Sequence, residues 1–93
     1  MHDIKIVRYV NPTKISISSN SSAYATVTLP TDQRPSKYTL LFGMVSGVKD
    51  ATDASQIYCG SNSLADYTVS TKIVNTASIA QSVSLYGTWI FIN

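Results

Sequence analysis

Apolar and polar residues alternate along most of the chain. The period of two is that of strands with one buried face. Ile4 to Val10 (IKIVRYV) reads as a first strand, with a slip in the alternation at Val7. Asn11-Pro12 ends it, because proline cannot donate to a ladder. Lys14 to Ser18 sets Ile15 and Ile17 on one face, and Ser19 to Ser22 reads as a turn. In the next strand Ala23, Ala25, Val27 and Leu29 face inward, while Tyr24, Thr26 and Thr28 face out. These two segments together predict a hairpin with one core face and one hydroxyl-coated face.

Pro30 to Ser36 carries two prolines and reads as a loop. Lys37 to Ser46 (KYTLLFGMVS) is the most apolar strand. Alternation puts Tyr38, Leu40, Phe42 and Met44 on one of its faces and Leu41 and Val45 on the other. Such a strand is central or meets a neighbouring chain. Gly43 within it implies a close backbone approach or a bulge.

The segment from 47 to 66 reads mostly as a long loop, with a short strand at Gln56 to Cys59. A loop of that length in a small domain points to function. Tyr67, Val69, Thr71 and Ile73 define another strand, and Ile79, Gln81, Val83 and Leu85 a further one. Gly87 reads as a turn before a closing TWIFIN, with Trp89 and Phe91 on one face and Ile90 and Ile92 on the other.

No segment shows a helical apolar stripe. The expected fold is therefore all-β. It is a single small antiparallel β-sandwich spanning residues 1–93, jelly-roll-like, with seven or eight strands and no substantial helix. Its expected core is Ile6, Ile15, Ile17, Val27, Leu29, Leu40, Phe42, Val69, Ile73, Val83, Leu85 and Phe91.

Composition narrows the function. A chain of 93 residues hides only about 60–65% of its unfolded surface, so its core is thin. Cys59 is the single cysteine, which leaves no intrachain disulfide, and with one histidine no zinc set is expected. Charged residues make up 13% of the chain, about half the usual share, and all five acids are Asp. Association is the remaining source of stability. A net charge of +2, with the basic residues scattered, does not make a nucleic-acid surface. No apolar run is long enough for a transmembrane helix, and the start lacks a signal-peptide pattern.

Chemistry is sparse. His2 is the only histidine and lies at the terminus, with no nucleophile motif to serve. Cys59 has no local cation to activate it. Asp50 and Asp53 form one close acidic pair in a polar stretch, better suited to capping than to catalysis. No catalytic residue, metal site or cofactor is expected. The aromatic residues are the better candidates. Tyr58 and Tyr67 flank a polar segment holding Asn62 and Asp66, which suits ring stacking on a sugar with amide and carboxylate recognition of its hydroxyls. Tyr24 and Trp89 are weaker candidates for the same role. Leu41, Val45, Ile90 and Ile92 are the candidate interface, being apolar on a second strand face.

The segments KISISSNSSAYATVTLP, YTLLFGMVS and VSLYGTWIFIN together resemble small distal domains of bacteriophage tail fibres and related receptor-binding or head-decoration proteins. The resemblance extends over nearly the whole chain and rests on no single motif. It implies a β-sandwich in a virion, most often a homotrimer, that attaches to a cell-surface glycan or protein through several weak sites acting together. The alternatives are a purely structural, capsid-decorating module that binds protein alone, and a small carbohydrate-active or hydrolytic enzyme.

Overall fold

A computed structural model describes residues 3–93, with Ser61 described by its backbone alone. His2 lies outside the described residues. The chain forms seven strands: β1 (Ile4–Val10), β2 (Ile15–Ile17), β3 (Ser21–Thr28), β4 (Thr39–Lys49), β5 (Ile57–Ala65), β6 (Thr68–Asn75) and β7 (Gln81–Ile92). Single 3-10 turns lie at Thr31–Gln33 and Ala54–Gln56. The strands build two antiparallel sheets, and the protein is an all-β sandwich.

In the first sheet β7 is the central strand. β4 pairs along one of its edges, while β1 and β2 pair end to end along the other. The second sheet has the order β3-β6-β5. The first and last strands thus lie side by side in one sheet, and β3 and β6 do so in the other. This is a jelly-roll-like wrapping of the chain. The body is long and narrow, 50 × 21 × 19 Å.

The core is the slab between the sheets. Ile17, Val27, Leu29, Val69, Ile73, Val83, Leu85 and Phe91 are buried there as the alternation implies, joined by Ala25, Val45 and Trp89. Ile15 and Leu40 are partly buried against this cluster. Two expected core residues lie elsewhere. Ile6 pairs with Ile90, and Phe42 pairs with the same residue from the other side. All three face out. Phe42 is turned by a bulge between Leu40 and Phe42, which resets the alternation.

Three readings of the chain path need correction. The segments around Ile17 and Ala23 do not form a hairpin. β2 pairs with β7 and β3 with β6, so the turn between them crosses from one sheet to the other. The crossing is held by Asn75, whose Nδ2 donates to the carbonyls of Ile17 and Ser18, both at 3.2 Å. Gly87 makes no turn and lies within the twelve-residue β7. A Cβ on Gly87 would stand 2.3 Å from Cη2 of Trp89, and one on Gly43 2.7 Å from its Cδ1. Both glycines make room for the indole. Finally, the segment from 47 to 66 is mostly strand. β4 continues to Lys49 and β5 starts at Ile57, with a register shift between Gly60 and Ser63 that breaks its alternation.

Candidate functional site

The four residues expected to hold a sugar do not converge. Tyr58 lies near the start of β5, opposite Val74, and is 58% exposed. Asp66 sits in the β5–β6 turn with φ of 53°. Eight residues of extended chain separate them, which is about 25 Å. Tyr67 stacks on Phe91 with ring centroids 6.2 Å apart, and the Arg34 guanidinium covers its ring at 4.0 Å. Arg34 in turn donates from Nε to the carbonyl of Leu29 at 2.9 Å. Tyr67 therefore plugs one end of the sandwich. Asn62 accepts the backbone N–H of Val45 through Oδ1 at 3.1 Å and ties β5 to β4. Its role is a stitch between the sheets.

Trp89, the weaker candidate, is fully buried. Its Nε1 is the one buried side-chain polar atom without a partner among the described residues. The acidic pair is also accounted for. Asp50 lies 3.5 Å from Lys14 Nζ. Asp53 accepts from Ser55 through both its backbone N–H and its hydroxyl, at 3.2 and 2.6 Å. Among the described residues no group of three or more His, Cys, Asp or Glu could hold a metal ion. Cys59 is half-buried beside the β4–β5 seam, and burial pushes its thiol pKa up.

The candidate interface fares differently, residue by residue. Val45 is buried in the sandwich core, since it pairs with Gly87 on the inner face, and it cannot serve a partner. Leu41, Ile90 and Ile92 do lie together on the outer face of the first sheet. The registers Ile4↔Ile92↔Thr39 and Ile6↔Ile90↔Phe42 place the apolar pair Ile4–Ile92 beside the apolar row Ile6–Ile90–Phe42. Leu41, in the bulge, adds to them. Ile4 is 67% exposed, Ile6 52%, Leu41 54% and Phe42 44%. Together they show water on the order of 400 Å² of apolar surface, within the roughly 300–600 Å² of the largest patch on a typical monomer, a patch that is often functional. Ile4, Ile6 and Phe42 were missed because an unbroken alternation assigned Ile6 and Phe42 to the core. The bulge and the solvated outer face are tertiary facts.

The outer face of the second sheet has another character. Its rows are Ser22–Val74–Tyr58, Tyr24–Lys72–Gly60 and Thr26–Ser70–Ser63. Tyr24 is 81% exposed. A shallow depression of about 480 Å³ lies on this face, lined by Asn20, Ser21, Ser22, Lys72, Val74, Asn75 and Thr76.

Comparison with protein-family models, with curated proteins and with solved structures returned no match.

Proposed function

We propose that the chain is a non-enzymatic structural and attachment domain that works as a homo-oligomer, of the kind found in virion fibres and decorations. The observation that carries this reading is the outer face of the β1-β7-β4 sheet. Ile4, Ile6, Leu41 and Phe42 stand exposed over half-buried Ile90 and Ile92. A patch of that size supplies about half of the roughly 800 Å² that each partner brings to a standard interface. The occupant is a second copy of the chain. A thin core, a low charge and an exposed apolar face all favour it. A trimer is the order that the likeness to tail-fibre domains implies. The non-enzymatic part rests on the carboxylates. Asp50 and Asp53 are engaged with Lys14 and Ser55, and Asp66 sits apart at a hairpin tip.

The test is solution mass by light scattering after size exclusion, from micromolar to near-millimolar protein. A whole-number multiple of the 10.1 kDa chain mass is expected, falling to a monomer in Phe42→Asp and in Ile6→Lys. Both substitutions lie on the outer face, so circular dichroism should be unchanged. A monomer at every concentration, or a mass that neither substitution changes, refutes the reading.

A further inference from the structure

We propose that the outer face of the β3-β6-β5 sheet is a binding site for an acidic saccharide, held between Tyr24 and Tyr58 with its anionic group on Lys72. The proposal deepens the attachment reading and rests on it.

Three observations converge on this face. The first concerns the rings. Tyr24 and Tyr58 are the two most exposed aromatic side chains, on opposite edge strands, one row apart. Two strand spacings and one row separate them by about 12 Å. That span is wide enough for more than one sugar ring. Neither ring makes a side-chain hydrogen bond or ring contact among the described residues. An exposed tyrosine offers a flat apolar face and a polar tip, which suits a sugar.

The second is Gly60. Glycine weakens a strand interior, and its usual reasons are a bulge or a close approach by another group. Gly60 does border a bulge, but its φ is not positive, so the backbone does not demand glycine there. A Cβ on it would meet nothing within 4 Å, so packing does not demand it either. What Gly60 does is leave open the floor beside Lys72, on the Tyr58 side.

The third is charge. Lys72 lies between Tyr24 and Gly60 in the middle strand and makes no ion pair among the described residues. None of the five Asp residues lies on β3, β5 or β6. Asp53, beyond the Thr76 end, turns its carboxylate to Ser55, and Asp66 is at the far hairpin tip. The face therefore carries one uncompensated ammonium in a hydroxyl-rich surface. A carboxylate or sulfate on the sugar complements it. The depression beside Lys72 supplies the rest: Val74 as an apolar floor, with Asn20, Ser21 and Ser22 as hydrogen-bonding rim.

The test is a printed array of uronate-, sialate- and sulfate-bearing glycans with their neutral counterparts, probed with the full chain in its native assembly. Retention on acidic members is expected, weakening as salt rises. Tyr24→Ala and Lys72→Gln should each reduce it about tenfold or more. Gly60→Val, at a position where a Cβ meets nothing within 4 Å, should do the same without loss of fold by circular dichroism. Retention of neutral glycans alone, of none, or retention unchanged in all three variants overturns the site. Light scattering on the same samples separates the two proposals. An oligomer that retains no glycan refutes the saccharide site alone, and a monomer that retains acidic glycans refutes the assembly alone.

Discussion

Gln81 donates from Nε2 to Oδ1 of Asn75 at 3.1 Å, and both side chains are buried. The pair closes the β6–β7 connection and extends from there. Asn75 Nδ2 is shared among the carbonyls of Ile17, Ser18 and Ile79, and its Oδ1 also accepts the N–H of Ala77. Gln81 exchanges two bonds with the backbone of Asp53, at 2.7 and 3.0 Å. Two amides thus fasten three connections: the β2–β3 crossing, the β6–β7 turn and the β4–β5 loop. Asn75→Leu leaves several of these groups buried and unpaired. A loss of about 3 kcal/mol is expected, which lowers the melting temperature by on the order of 15 °C. Thermal unfolding followed by circular dichroism measures it. A loss below a third of that would show that water or rearrangement replaces the network.

Gly87 and Trp89 give a second prediction, with an internal control. Gly87→Ala drives a methyl into the indole at the centre of the core, where nothing can yield cheaply. The expected cost is about 2–4 kcal/mol. Gly47 lies in β4, and a Cβ there meets only Tyr86, at an ordinary 3.9 Å. Gly47→Ala should therefore leave stability within about 0.5 kcal/mol. Denaturant titration of the two variants decides between a steric role for Gly87 and a general aversion to glycine loss. Trp89 is the only tryptophan, so its emission also reports whether the ring has been displaced toward water.

Much of the fold was legible because one face of most strands meets the core. Val27, Leu29, Val69, Ile73, Val83 and Leu85 all fall on the buried face that alternation assigns. Pairing was not legible in the same way. Ile15 and Ile17 alternate equally well whether their strand pairs with β3 or with β7. What decides is the Asn75 network, built from residues 58 positions away in the chain. Bulges hid the rest. The shifts after Leu40 and after Gly60 exchange inside for outside without changing composition. That is why Phe42 read as core and β5 beyond Cys59 as loop. Gly87 misled for a related reason. A glycine that admits an indole and a glycine that turns the chain are the same letter. Tyr58, Asn62, Asp66 and Tyr67 are neighbours in sequence, whereas a sheet gathers residues by register. Tyr24, Lys72 and Gly60 lie in one row although 48 positions separate the first two.

Lys37 has φ of 66°, in the left-handed region, just before β4. Asn20, Asp50 and Asp66 share that conformation, but short polar side chains tolerate it. Lysine gains nothing there, and its Cβ meets the following carbonyl. Lys37→Gly removes that strain at some cost in unfolded-state entropy, for an expected net gain of about 0.5–1 kcal/mol. Lys37→Asn should fall between the two. Chemical denaturation of the three proteins gives the order. If Lys37→Gly proves less stable than the wild type, the lysine makes a contact that outweighs its backbone strain.

Cys59 supplies a pH dependence whose sign is fixed by burial. Desolvation disfavours the thiolate, so the folded thiol titrates above its ordinary value of about 8.5. As pH rises past that value the unfolded chain loses this proton while the folded chain keeps it. The unfolded state then binds fewer protons, and stability falls with rising pH. Below the ordinary thiol range the contribution is complete and constant. The difference in unfolding free energy between the wild type and Cys59→Ala should therefore be flat from pH 6 to about 8 and shift against the wild type above it. Taking the difference cancels the tyrosines and lysines that titrate in the same alkaline range. Reaction with a disulfide reagent gives an independent reading. At pH 8 the folded protein should react more slowly than the urea-unfolded chain, because less of its thiol is ionised. An equal rate in both states, together with a flat stability difference up to pH 10, would place the thiol in water and remove Cys59 from the β4–β5 seam.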